Sequence, residues 1–280
     1  MKNKWLLFLA SALFISACKE DDKPTVVPEP EKKVLIGIEG VSPNGVSTLA
    51  EYDIPTQTLE NNVFQKANIN AMGAQLNDIM IDEESGLITL VLPGSDRVSF
   101  CDLNTLKLTG SINNLFQIQK VAKIRADKYY LTSWENDGII SFNPLTRRLR
   151  REIDTLGEGP TAILVHDTLA FVANNGGFLV DSTISILNPF EDTLVTELLV
   201  GYKPNSMVVD KNNRLWVLCS GVRDQGNPSG SSAGSLFRYN LDTLRMALDS
   251  NLAIVPDTVM YFVDNLLKPR NLSYDEASDA

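Results

Sequence analysis

From Val34 onward, apolar residues come in short runs separated by turn-forming segments such as residues 82–86 (DEESG) and 210–213 (DKNN). No stretch of helical length carries an i, i+3, i+4, i+7 stripe, so the pattern predicts strands throughout and an all-β chain. Comparing the chain with itself shows a recurring landmark: an apolar residue, then Asp or Asn, then a turn ending in Thr-Leu or its equivalent. Copies lie at Tyr52-Asp53, Cys101-Asp102, Phe142-Asn143, Leu187-Asn188 and Tyr239-Asn240, and the Asp/Asn positions are spaced by 49, 41, 45 and 52 residues.

Between landmarks lies a second repeated unit of two strands joined by a polar turn. It reads from Leu76 to Asp82 and then 87–92, recurs at 160–167 and 169–174, and again at 204–210 and 215–218. Four short strands in each repeat of about 45 residues predict a β-propeller, in which each blade buries its faces against its neighbours. The segments GYKPNSMVVDKNNRLWVLCSG (201–221) and DSTISILNPFEDTLVTELLVG (181–201) resemble the YVTN or YncE-like propeller family over roughly residues 34–280. The shared motifs specify blades and name no ligand.

Inner strands are expected near 75–81, 118–126, 161–166, 205–210 and 270–275, whereas residues 34–39 match a second strand with no inner strand before them. Two arrangements satisfy this. Residues 270–275 could complete the first blade and close a five-bladed ring. Alternatively, five repeats and the start of a sixth belong to a truncated seven-bladed propeller. The second is preferred at this point, because the resembled family has seven blades and residues 276–280 stop where a further strand would begin.

Composition mainly excludes. The 25 Lys and Arg residues against 35 Asp and Glu give a formal net charge of −10, the wrong sign for nucleic acid, whose affinity rests on neutralising phosphates. With 44% hydrophobic and 21% charged residues the chain can fold around a core. Three cysteines make no disulfide framework, and the single histidine, His166, rules out any site needing two imidazoles.

The first residues address the chain. Lys2 and Lys4 precede an uncharged stretch, 5–17, too short to span a bilayer and suited to a signal peptide. It ends Ile15-Ser16-Ala17-Cys18, which resembles a bacterial lipobox and implies cleavage after 17 and lipidation of Cys18. Lys19, Glu20, Asp21 and Asp22 resemble the export signal of Bacteroidota lipoproteins displayed on the outer face of the outer membrane. Residues 18–33 then read as the lipidated cysteine and an extended, proline-bearing tether, and 34–280 as the propeller domain. With this N-terminus, the chain resembles the surface cobalamin-binding propeller lipoproteins that work beside outer-membrane transporters. That resemblance implies an outer-membrane location, a small-molecule ligand such as a corrinoid, and a TonB-dependent transporter as partner.

No catalytic constellation, resident metal or cofactor is read from the sequence. Residues 230–234 (GSSAG) match the nucleophile-elbow pattern but lie in a Gly/Ser loop with no following helix. Gly157, Gly159 and Ala162 mimic a dinucleotide fingerprint, again without the helix. His166-Asp167 reads as a surface pair, Arg147, Arg148, Arg150 and Arg151 as a solvated outer strand, and Cys101 and Cys219 as buried small hydrophobes. Asp78, Asp137 and Asn205 are scattered candidates for a lactonase-like calcium site, the basis of an alternative hydrolase reading. A structural or adhesive module is a third possibility.

The loops between second and third strands, and those between blades, should emerge on one face around the channel. They hold Trp134, Asn174, Asn175, Tyr202 and Arg223, in which flat aromatics supply area and amides and a guanidinium supply direction. These five are the expected ligand-binding residues.

Overall fold

The computed structural model describes residues 33–40, 46–223, 230–263, 268–275 and 277. Cys18, Lys19, Glu20, Asp21 and Asp22 lie outside the described residues. Among the described residues, nineteen strands form five antiparallel sheets, each a blade. The first holds β1 (Lys33–Ile38), β2 (Thr48–Asp53) and β3 (Thr58–Glu60) and is followed by a five-residue helix, α1 (Val63–Ala67). The second holds β4 (Asp78–Asp82), β5 (Leu87–Leu92), β6 (Arg97–Asp102) and β7 (Leu108–Asn113). The third runs through β8 (Ile118–Arg125), β9 (Lys128–Ser133), β10 (Gly138–Asn143) and β11 (Arg148–Asp154). The fourth has β12 (Pro160–His166), β13 (Leu169–Asn174), β14 (Thr183–Asn188) and β15 (Thr193–Leu199). The fifth has β16 (Pro204–Val209), β17 (Arg214–Cys219), β18 (Ser235–Asn240) and β19 (Thr258–Tyr261).

Strands within a blade follow chain order, so each sheet is a meander. The innermost strands β4, β8, β12 and β16 line a central channel together with Asn271 and Leu272 from the C-terminal stretch 268–275. This is a five-bladed β-propeller. Of the two arrangements expected from the sequence, the structure takes the five-bladed one, and the start of a sixth repeat gives way to an inner segment of the ring. That segment is held by side chains: Asn205 Nδ2 donates to Pro269 O at 2.9 Å, and Leu272 N to Ser206 Oγ at 2.9 Å.

Position in the blade explains the apolar pattern. Strands β9 and β13 are buried at every residue because neighbouring blades cover both their faces, hence continuous apolar runs. Outermost β11 is exposed at every residue but Ile153, and it carries the arginine cluster. Four apolar clusters join successive blades. Phe64 and Leu90 belong to the first, Phe100, Tyr129 and Phe142 to the second, Tyr130 and Val172 to the third, and Phe171, Val217 and Tyr239 to the fourth. Truncating one such ring to alanine costs about 3–5 kcal/mol. Among the described residues no cluster joins the fifth blade to the first, where Val34, Ile36 and Ile38 remain 45%, 40% and 42% exposed.

The landmark Asp/Asn residues have a structural role. Each sits at the turn before the last strand of its blade and accepts backbone N–H groups two or three residues on, an Asx turn. Asp102 Oδ1 takes Thr105 N at 2.8 Å, Asn143 Oδ1 takes Thr146 N at 2.9 Å, and Asn188 Oδ1 takes Phe190 N at 3.0 Å. In the fifth blade Asn240 makes the same bonds, to Asp242 N and Thr243 N, but there caps a ten-residue helix, α2 (Leu241–Ser250). The expectation of no helix is corrected here: Leu241 and Leu244 bury in the last cluster, Leu248 packs against it and Ala247 is buried, while Asp242, Thr243, Met246, Asp249 and Ser250 face solvent.

Candidate functional site at the channel mouth

Two antiparallel turns per blade emerge on each face of a propeller. On the face opposite the Asx turns, a cavity of about 710 Å³ opens at the channel mouth. Asn77, Gln119, Thr161, Asn205 and Asn271, at or just before the start of successive inner segments, form a polar collar around it. The collar is cross-linked. Asn77 Nδ2 donates to Gln119 O at 3.0 Å, and Asn205 is tied to Ser220 and to Pro269.

Three of the five expected binding residues line this cavity: Trp134, Asn175 and Arg223. Trp134 follows β9, and its ring N–H donates to Thr161 Oγ1 at 3.0 Å. Phe178 meets the indole edge-to-face, with centroids 5.5 Å apart. The loop carrying Phe178 is held tightly: Asn175 N and Gly176 N donate to Gly159 O and Glu158 O. At Gly159 (φ +60°) a Cβ would fall 1.9 Å from Gly177 N, so only glycine permits that approach.

The other two lie elsewhere. Asn174 is fully buried inside the fourth blade, donating to Thr183 Oγ1 at 3.0 Å and Ser185 Oγ at 2.8 Å, and Gly157 covers it. Tyr202 lines a separate recess with Leu199, Phe237 and Tyr261, while its neighbour Lys203 turns into the mouth. Asn174 is the last residue of β13 and Asn175 the first of the loop beyond it, while Tyr202 and Lys203 lie in the bend before β16, where Lys203 takes a positive φ of 54°.

Charge distinguishes the mouth from the rest of the molecule. Lys120, Lys203, Arg223, Lys268 and Arg270 line it, against one carboxylate, Glu39. Lys203 Nζ donates to the carbonyls of Asn175 at 3.1 Å and Leu179 at 2.6 Å, and burial pushes its amine below the usual lysine value. Lys268 Nζ donates to Val222 O and Ser232 O at 2.8 and 3.0 Å. Arg223 and Arg270 are exposed and make no hydrogen bond or ion pair to any described residue.

Candidates for other chemistry are engaged in holding the fold. Asp78 pairs with Lys120 at 3.1 Å and accepts Val121 N, while Asp137 accepts Gly159 N at 2.8 Å. His166 Nε2 lies 3.0 Å from Asn213 Oδ1, and Asp167 pairs with Arg245. Gly230–Gly234 precede β18 and follow no strand directly, and Gly157 and Gly159 belong to a turn that leads into a strand. Cys101 and Cys219 are free and buried, and burial pushes both thiols up to about 12. No group of three or more His, Cys, Asp or Glu side chains suited to a metal ion exists among the described residues. The mouth therefore offers hydrogen bonding, positive charge and one indole.

Sequence reasoning missed the collar and the C-terminal cations. A polar residue at the start of each otherwise apolar inner strand was the available signal for the collar. Nothing local marks Lys268 or Arg270.

No protein-family model matches this chain, and no curated protein matches it. Solved structures do. A "putative 6-phosphogluconolactonase" from Bacteroides fragilis NCTC 9343 is 12% identical, with TM-score 0.62, covering 88% of this chain and 72% of its own. A protein of unknown function from Desulfotomaculum acetoxidans is 14% identical, with TM-score 0.55, over 78% of this chain and 66% of its own. Hydrazine synthase from Kuenenia stuttgartiensis is 16% identical, with TM-score 0.54, over 67% of this chain. This chain spans about half the length of that synthase chain (49%) and just under two thirds of the Desulfotomaculum one (66%). At such identities the likeness is one of fold.

Proposed function

We propose that this protein is a lipid-anchored, YncE-like propeller of a Bacteroidota cell surface that captures a small nutrient at its channel mouth and passes it to a TonB-dependent transporter. The observation that carries the reading is the cavity of about 710 Å³ walled by residues from all five blades and bearing Trp134, Asn175 and Arg223, a size within the range of small-molecule sites. The ligand class is a corrinoid or another metal chelate. Ile15-Ser16-Ala17-Cys18 and Lys19, Glu20, Asp21 and Asp22 support the anchor and the outward-facing outer-membrane location. No helix among the described residues is long and apolar enough to cross a membrane.

The reading is tested by melting the protein with cyanocobalamin and with ferric citrate, since a ligand that binds only the folded state raises stability by RT ln(1 + [L]/Kd). The expected result is a shift with one of them that Trp134→Ala abolishes. Equal melting with and without both probes contradicts it. For the anchor, Cys18→Ser should release the protein from membranes. External protease should remove the domain from intact cells, and alanine at positions 20–22 should protect it.

A further inference from the structure

The mouth is cationic in a molecule whose formal net charge is −10. Clefts lined by one sign of charge concentrate ligands of the opposite sign. Here the charge is fixed as well as abundant. Lys203 satisfies its amine on backbone carbonyls, which leaves its positive charge uncancelled. Arg223 and Arg270 stand exposed in the same wall with no partner among the described residues. Lys120 is paired with Asp78 and Lys268 is held by carbonyls, which leaves Lys203, Arg223 and Arg270 against the one lining carboxylate, Glu39.

From this we infer that the ligand of the mouth is a small anion carrying carboxylate or phosphate groups, gripped by the guanidinium groups of Arg223 and Arg270. A guanidinium presents its donors as a planar fork that matches either group with two parallel hydrogen bonds. The amide collar takes hydroxyl or carbonyl groups, and Trp134 takes a flat or apolar part. The acidic remainder of the surface repels polyanions, which restricts this chemistry to molecules small enough to enter the mouth. The inference rests on the reading of the mouth as the ligand site and narrows it.

The test titrates the full chain with citrate, with fructose 1,6-bisphosphate and with neutral trehalose, at low salt and at 0.5 M salt (about a 4 Å Debye length), reading heat and tryptophan fluorescence. At least one anion is expected to bind and trehalose not to, with affinity falling at high salt. Arg223→Gln combined with Arg270→Gln should raise the Kd of that anion at least tenfold while leaving the melting temperature unchanged. Binding of citrate alone assigns a carboxylate ligand, and binding of the bisphosphate alone assigns a phosphate. If neither anion binds, or the double substitution leaves Kd unchanged, the inference is overturned. Cyanocobalamin, neutral overall, separates the two claims: binding that is sensitive to Trp134→Ala but not to the double arginine substitution, with neither anion bound, overturns the anionic class and leaves the mouth reading standing. Anion affinity that instead follows Arg148, Arg150 and Arg151 on β11 overturns both.

Discussion

On the turn face, one device recurs in every blade: Asp53, Asp102, Asn143, Asn188 and Asn240 each accept backbone N–H groups at the start of a turn. Ion pairs there staple blades together. Asp82 binds Lys123 at 2.7 Å and accepts the Tyr129 hydroxyl at 2.6 Å, and buried Lys128 is paired with Asp192 and donates to Pro189 O. On the mouth face the loops differ: 93–96, 134–137, 175–182 and 220–234 separate the second and third strands of successive blades. Cations there face carbonyls or solvent more often than carboxylates. The contrast teaches where each kind of information sits. What repeats closes turns and joins blades; what varies from blade to blade shapes a site.

Substitutions on the two faces should therefore separate stability from binding. The largest effect is expected from Asp82→Asn, which breaks a buried ion pair and should cost about 3 kcal/mol in urea unfolding while leaving affinity for citrate or cyanocobalamin unchanged. The same residue sets a pH dependence. Burial alone would raise the Asp82 carboxyl, but hydrogen bonds from Lys123, Ser85 and Tyr129 outweigh it and hold it well below the usual carboxylate range. Because the folded value is depressed, its stabilisation is full above about pH 5 and is lost as pH falls through about 4 and below. Unfolding of the parent followed from pH 7 to pH 3 should show that loss, and Asp82→Asn should flatten it.

Next in size is Trp134→Ala, expected to weaken probe binding by about 2 kcal/mol, or roughly thirtyfold. Tyr202→Ala should leave affinity unchanged, because its side chain lies in a different recess. Equal losses from both would erase the boundary drawn around the mouth. Asn143→Ala removes an acceptor of two backbone N–H groups and should cost about 1 kcal/mol. Asn143→Asp should be nearly neutral, since aspartate does the same work at 53 and 102. Smallest is Phe178→Ser, at a ring 80% exposed, which should change stability by less than about 0.5 kcal/mol.

The repeat was legible because each Asx turn needs a short acceptor at one position, and because blade stacking demands continuous apolar runs. The helix α2 was not, because Asn240 with Thr243 serves equally as an Asx turn and as a helix N-cap. Only the spacing of Leu241, Leu244 and Ala247 distinguishes the two. At the site, Trp134, Asn175 and Arg223 were readable from loop length and residue type. Asn174 and Asn175 look alike in sequence, yet one is sealed within its blade and the other lines the cavity. Local reading cannot assign that side when a strand ends between them. Lys268 and Arg270 reach the mouth only because residues 268–275 fold back beside β16, a contact made across more than sixty residues of chain.

A crystal structure of the protein grown with citrate or cyanocobalamin, whichever raises its melting temperature more, tests the central claim most directly. The account predicts ligand density at the channel mouth, against Trp134 and within hydrogen-bonding distance of Arg223 or Arg270. Density on the Asx-turn face, or along the arginines of β11, with an empty mouth would contradict it.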